Sequence, residues 1–245
     1  MIWVIARREL RGMFLSPLAW SILAVVQFIL GYMFLVLVDE FYVLQPKLAT
    51  LQNAPGATAL IASRLFSLAA IVMLMVTPLL TMRLISEERR NRTLSLLMSA
   101  PVTMTEIILG KYLGLLLFLL IMLVLIVLLP LSLAIGTSLD WGQLLSGVLG
   151  MVLMLAAFAA AGLFLSTMTD HPTVAAVSTF GLLLLLWIIN WVTEDSLFAY
   201  LSLLRHHEAM LGGVVDTSDI AFYLLFILTF LVLAIRRLDA ERLQD

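Results

Sequence analysis

Residues 65–130 read LFSLAAIVMLMVTPLLTMRLISEERRNRTLSLLMSAPVTMTEIILGKYLGLLLFLLIMLVLIVLLP. Two apolar runs flank a polar island, residues 83–111, which carries five of the fourteen basic residues of the chain: Arg83, Arg89, Arg90, Arg92 and Lys111. A helix needs an apolar run of about 20 residues to cross the hydrocarbon core of a bilayer. The island is therefore a connection lying outside the lipid. The rest of the chain follows the same plan, with 63% hydrophobic and 12% charged residues among 245 and a mean hydropathy of +1.13. Soluble domains are near half apolar and about a quarter charged, so the composition is that of an integral membrane protein. No polar stretch is long enough to bury a core of its own. The net charge of −2 decides little, because what matters in a membrane protein is where the charges fall. The lack of cysteine excludes disulfides and thiolate metal sites.

Working outward from the island, six spans are expected in one all-α membrane domain covering 1–245. The first is Pro17–Val38, with Ser16 as N-cap and Pro17 at the first helical position. The second lies between Arg64 and Arg83, the third runs from about Ile107 to Ile135, and the fourth from about Gly142 to Thr169. The fifth runs from Pro172 to about Val192, and the sixth, Ile220–Ile235, is short but can be extended by Thr217 and Ser218. Pro78 and Pro130 are positioned to kink their spans. With both termini in the cytoplasm, the inner side receives eleven of the fourteen basic residues and the outer side keeps Lys47, Arg64 and Arg205. That asymmetry is the positive-inside pattern.

Residues 1–14 precede the first span and are amphipathic. At 100° per residue Trp3, Ala6, Leu10, Met13 and Phe14 share one face, and Arg7, Arg8 and Arg11 the other. This predicts a helix in the inner interface, arginines toward lipid phosphates. The outer segments 39–63 and 194–219 mix polar and apolar positions. In the second, Leu197, Tyr200, Leu201, Leu204 and Glu208 follow helical spacing, so a short helix at or dipping into the outer leaflet is expected, ended by Gly212–Gly213. The adjacent His206 and His207 do not share a helix face and read as a solvated or interfacial pair.

The spans also exclude chemistry. From Pro17 to Val38, Leu65 to Met82, Tyr112 to Leu139 and Trp141 to Thr169 there is no Asp, Glu, Lys, Arg or His. Ion- and proton-coupled transporters place ionisable groups at membrane depth, and intramembrane hydrolases need a nucleophile with a base. The phosphate-cradling G-x-x-x-x-G-K-[ST] pattern is absent, because Gly110–Lys111 is followed by Tyr112 and position 105 is threonine. The chain reads as a path or lever driven from elsewhere.

The island itself orders an acidic turn, a basic turn, an apolar stripe, a proline and a capping box. Ser86 is placed to cap a helix with Glu87 and Glu88 in its first turn, where the dipole favours anions. Leu94, Leu97 and Met98 form the stripe, and Ala100–Pro101 ends the helix. Thr103-x-x-Glu106 then opens the third span. The whole unit, 86–106, is a helix–proline–helix elbow.

This order resembles the cytoplasmic loop of type-2 ABC transporter permeases, in which E-x-x-x-x-T-L/I-x-x-L-x-x-x-P-[VI] precedes G-K. The matching positions are Glu88, Thr93, Leu94, Leu97, Pro101, Val102, Gly110 and Lys111. The R-R-E-L of Arg7, Arg8, Glu9 and Leu10 and the six-span layout are also similar. Gly213-Val214-Val215-Asp216 before the last span resembles the gliding-motility and copper-enzyme-maturation branch. The resemblance implies a permease subunit that is not itself an enzyme and binds no cofactor, ATP and magnesium being held by separate ABC ATPase subunits. The ATPase-coupling residues would be Glu87, Glu88, Arg89, Arg90, Arg92, Thr93, Leu94, Leu97, Met98 and Pro101. Trp3, Arg7, Arg8, Leu10 and Arg11 would belong to the family's interfacial helix. A second permease copy or a related permease would pair with this one through small residues. Candidates are Ala175, Ala176, Ser178 and Gly181, or the small residues of the fourth span, which serve equally for packing within one subunit. The setting implied is a bacterial inner membrane, with the lipid bilayer as partner and no nucleic acid. Export is the expected activity. The alternatives are a mechanotransmitter driving an extracytoplasmic partner, or a membrane-embedded enzyme or scaffold.

Overall fold

The computed structural model describes residues 1–48, 56–93, 102–192 and 200–242. Among them there is no strand, and six helices are long and apolar enough to cross a membrane.

Helix α1 (Ile2–Leu15) ends where Ser16 takes an extended backbone, φ −85° and ψ 128°. Helix α2 (Pro17–Leu48) starts on the next residue, where proline's missing N–H costs no intrahelical bond. The corner is held by the Trp20 indole N–H, which donates to the Phe14 carbonyl at 2.8 Å, and by edge-on packing of the two rings. Contrary to the expected end at Val38, α2 continues through the charged Asp39–Glu40 to Leu48, with Pro46 in its last turn. Charge ends a hydrophobic run but does not break backbone hydrogen bonding, so the helix outlasts the span. The next span also begins early, with a π-helical turn, Thr58–Ala62, running into α3 (Ser63–Thr81). The Arg64 guanidinium of α3 reaches Glu40 of α2 at 3.0 Å.

A short α4 (Ser86–Arg90) follows, and then α5 (Met104–Leu131), which tightens into a 3₁₀ turn, Ser132–Ile135, just after Pro130. The last four helices are α6 (Trp141–Thr167), α7 (Pro172–Val192), α8 (Leu203–Leu211) and α9 (Thr217–Arg242). The expected capping box opens α5. The Glu106 N–H donates to Thr103 Oγ1 at 3.2 Å, and the Thr103 N–H donates to the Glu106 carboxylate at 3.1 Å. Asp140 caps α6 by accepting from the Gln143 N–H at 3.1 Å. Asp216 caps α9 by accepting from the Ser218 N–H at 3.0 Å. Each such cap is worth about 1 kcal/mol. Helix α9 takes in the expected extension through Thr217 and Ser218 and runs on past Ile235 to Arg242.

Lipid tails are as apolar as leucine, so close packing rather than the hydrophobic effect must hold the spans together. Helix α6 is the centre, packed against α3, α5, α7, α8 and α9. Its run of Ala157, Ala159, Ala160 and Ala161 is fully buried. A Cβ on Gly162 would lie 2.6 Å from the Thr81 Cβ of α3. The small residues of the fourth span thus close contacts within the subunit and are not free for a second copy.

The same device docks α1. A Cβ on Gly110 of α5 would lie 2.6 Å from the Ile5 Cβ, and one on Gly114 would lie 2.7 Å from the Glu9 Cβ. Spaced four apart, these glycines open one groove along α5. Helix α1 therefore rests on protein along the face of Ile5, Ala6, Leu10, Met13 and Phe14. Trp3, expected on that face, is 66% exposed, because it stands four residues before Arg7 on the flank of α1 that carries Arg7 and Arg11.

Helix α8 is not a surface helix. Leu203, Leu204, His206, His207, Met210 and Leu211 are all buried, and α8 packs against α3, α6 and α7. Gly150 admits it, since a Cβ there would meet the Met210 Cβ at 3.0 Å. The helix ends as expected at Gly212–Gly213, and Gly213 takes φ +87°, a conformation that favours glycine.

Gly114→Leu is expected to lower stability by about 1–3 kcal/mol through overpacking, read as a lower unfolding temperature in detergent. Gly181→Ala, whose Cβ would meet nothing within 4 Å, should be neutral or stabilising by up to about 1 kcal/mol. Equal responses at the two glycines would contradict the α1–α5 packing.

Candidate functional site

The termini of α1 and α9 and the connections between α3 and α5 and between α6 and α7 all emerge on one side of the bundle, where α4 ties them together. Its first turn is anchored to α6. The backbone N–H groups of Ile85 and Ser86 both donate to Ser166 Oγ at 3.1 Å, which serves helix-start donors that have no intrahelical acceptor. Ser86 is not the N-cap expected from the sequence. Ile85 holds that position, and the Ser86 hydroxyl donates back to the Met82 carbonyl.

The next residues turn inward. Glu88 accepts from the Lys111 ammonium at 2.8 Å, and the same ammonium donates to Glu9 of α1 at 3.2 Å. Lys111 is only 3% exposed. An isolated buried ammonium is costly, so the two carboxylates are a condition of its placement. Arg89 donates to both carboxylate oxygens of Glu241 near the end of α9, at 2.5 and 2.6 Å. Its Nε lies 3.2 Å from Asp170, in the link between α6 and α7. Two consecutive residues of α4 therefore hold α1, α5, α9 and the approach to α7.

The outer face of the elbow differs in character. Glu87 faces Arg83 at a loose 4.0 Å, and Arg90, Asn91 and Arg92 are exposed. The predicted unbroken helix from Glu87 to Ala100 does not form. Helix α4 stops at Arg90, and Arg92 adopts φ +57°, a left-handed turn that ends a helix. The Thr93 N–H and hydroxyl both donate to the Glu88 carbonyl, at 2.9 and 3.2 Å. Leu94, Leu97, Met98 and Pro101 lie outside the described residues.

Of the residues expected at a pairing contact, Ala175 is fully buried, so its methyl group does not reach a second copy. Ala176 is half-buried, and Ser178 and Gly181 are exposed beside Val174 and Val177.

At the opposite end, polar contacts seat α8. Gln143 Nε2 and the Ser63 hydroxyl both donate to the Leu211 carbonyl at 3.0 Å, and the Ser146 hydroxyl donates to Met210 at 2.7 Å. The two histidines, expected as a solvated or interfacial pair, are buried within the protein. His206 Nε2 donates to the Tyr200 carbonyl at 2.9 Å, and its Nδ1 lies 2.6 Å from Asp219 of α9. Both ring nitrogens are thus engaged, and neither is free to serve as a base. Burial pushes His207 down to about 4, with the Phe66 backbone opposing weakly. Among the described residues no partner of good hydrogen-bond geometry reaches either of its ring nitrogens, and the ring is neutral at pH 7. The adjacency rule correctly denied the pair one shared face. What it missed is that each side chain has its own buried setting.

A family model described as an ABC-2 family transporter protein matches residues 3–243. The chain belongs to the ABC-2 transporter family. The match spans the N-terminal helix, the elbow and all six spans of this permease, as the resemblance implied, and does not single out a branch within the family. No curated protein matches the chain. The three segments that carried the resemblance meet in space: the R-R-E-L glutamate, the elbow glutamate and the G-K lysine are Glu9, Glu88 and Lys111. The Gly213…Asp216 segment has a folding explanation as the stop of α8 and the cap of α9.

Lys111→Met should leave two half-buried carboxylates without their counter-ion and cost up to about 3 kcal/mol, seen as a lowered unfolding temperature. Adding Glu88→Gln should recover much of that loss, since residues sharing one ion pair are non-additive. Strictly additive losses would contradict the coupling.

Proposed function

We propose that this chain is the membrane-spanning, non-catalytic permease subunit of an ATP-binding-cassette exporter in a bacterial inner membrane, with both termini in the cytoplasm. Separate ATPase subunits hold the ATP and magnesium, and a second permease copy or a related one completes the assembly. The ATPases seat on the outer face of the elbow, at Glu87, Arg90, Arg92 and Thr93, and engage Leu94, Leu97, Met98 and Pro101, which follow in the sequence. The observation that carries this reading is the double attachment of α4. Glu88 and Arg89 are committed to the helix ends of the same chain, while the neighbouring Arg90 is exposed. A push on the exposed face would pass at once to α1, α5, α7 and α9. Orientation is supported by the same end of the bundle carrying eleven of the fourteen basic residues. The exposed Ser178–Gly181 side of α7 is the pairing face, where small residues permit close approach.

Capture of an ABC ATPase by the purified chain tests the reading. Arg90→Glu and Leu97→Asp should abolish capture and leave the unfolding temperature unchanged. Glu88→Lys should lower both, because it sets a second cation against Lys111. Undiminished capture by Arg90→Glu and Leu97→Asp together would remove the elbow as the coupling element.

A further inference from the structure

We propose that the groove between α1, the start of α2 and the ends of α3 and α4 is a binding site for an anionic phospholipid, its headgroup held by Arg7 and Arg11. The cavity measures about 860 Å³, within the range of about 300–1,000 Å³ typical of ligand sites. Its lining carries five cations against three carboxylates, an excess of two positive charges. The carboxylates are already occupied, since Glu9 and Glu88 hold Lys111 and Glu87 faces Arg83. Arg7, Arg8 and Arg11 are exposed and have no ion pair or hydrogen bond to any described residue. Arg7 and Arg11 stand four apart on one face of α1 with Trp3 and therefore present their guanidinium groups together.

What selects a lipid over a soluble anion is the other wall. Leu15, Leu18, Leu79 and Leu80 line the same cavity. Leu15 is 85% exposed and Leu79 43%, and these residues stand at the ends of spans, at the depth where chains meet headgroups. A basic floor continuous with an apolar, lipid-facing wall fits a phosphodiester headgroup with the first carbons of its acyl chains. The interfacial helix of the sequence reading would attract anionic lipid diffusely. The groove makes this a discrete site, and because Glu87, Glu88 and Asn91 of the elbow form part of its rim, an occupied groove lies against the coupling element. The inference depends on the chain being a membrane protein and not on its partners or on what it moves.

The test counts phosphatidylglycerol retained by the full chain against phosphatidylcholine, by native mass spectrometry from mixed detergent–lipid micelles. Arg7→Gln with Arg11→Gln should reduce the preference for phosphatidylglycerol by at least about tenfold. Arg236→Gln with Arg242→Gln removes the same charge from the same side of the bundle, outside the groove, and should change it little. Gly12→Trp, at a position lining the groove whose Cβ would meet nothing within 4 Å, adds bulk without altering charge and should also abolish retention. Equal loss in both double variants, or full retention in Gly12→Trp, would mean diffuse attraction and overturn the site. Displacement of the lipid by millimolar inorganic phosphate would assign the groove to a free anion and overturn it as well.

Discussion

The structure turns on one ammonium group in a place with almost no water. Lys111 sits on α5, packed beneath α1 and reached by α4, and its charge is tolerable there because Glu9 and Glu88 approach from two other parts of the chain. The cost of leaving any of the three unpaired makes the arrangement close to all-or-none. It thereby fixes how the N-terminal helix, the elbow and the third span sit together. Gly110 and Gly114 let α1 come close enough for Glu9 to reach the lysine. The packing and the ion pair are parts of one contact.

The two ends of the bundle solve opposite problems with the same means. At the elbow end, Lys111 and Arg89 join helix termini through charge, so that a short helix is tied to several long ones. At the far end, neutral hydrogen bonds from Ser63, Gln143 and Ser146, together with the His206–Asp219 pair, seat α8 as a plug between spans. Between the two ends the contacts are small residues of α6 against α3 and its other neighbours, with no charge. The lever proposed for the elbow needs stiff attachments at its ends and a packed middle that moves as whole helices, because a densely packed interior transmits displacement rather than absorbing it.

How much of this was legible in the sequence depended on whether the signal was local. The six spans, the start at Pro17, the Thr103–Glu106 capping box and the stop at Gly213 all follow from composition or from residues within a turn of each other. The inward commitment of Glu88 and Arg89 was not legible, because their partners Glu9, Lys111, Asp170 and Glu241 are far away in sequence. Nor was the burial of His206 and His207, which α8 achieves by wedging against α6 where Gly147 and Gly150 leave space. Two signals were present and unread. Gly110-x-x-x-Gly114 spells a close-packing groove, and Asn91 before Arg92 suits the end of a helix rather than its middle. Hydropathy also misplaced the end of α2, because it reports where lipid stops and not where hydrogen bonding does.

The coupling proposed for the elbow requires it to move as one body with α1 while the far ends of the spans move against them. Spin labels at Asn91→Cys and Gly12→Cys, both at exposed positions, would report that distance in the assembled transporter with and without ATP. Labels at Asn91→Cys and Val43→Cys would report the distance to the far end of α2. The first distance should stay unchanged and the second should change. A first distance that shifts with ATP while the second holds would contradict that coupling.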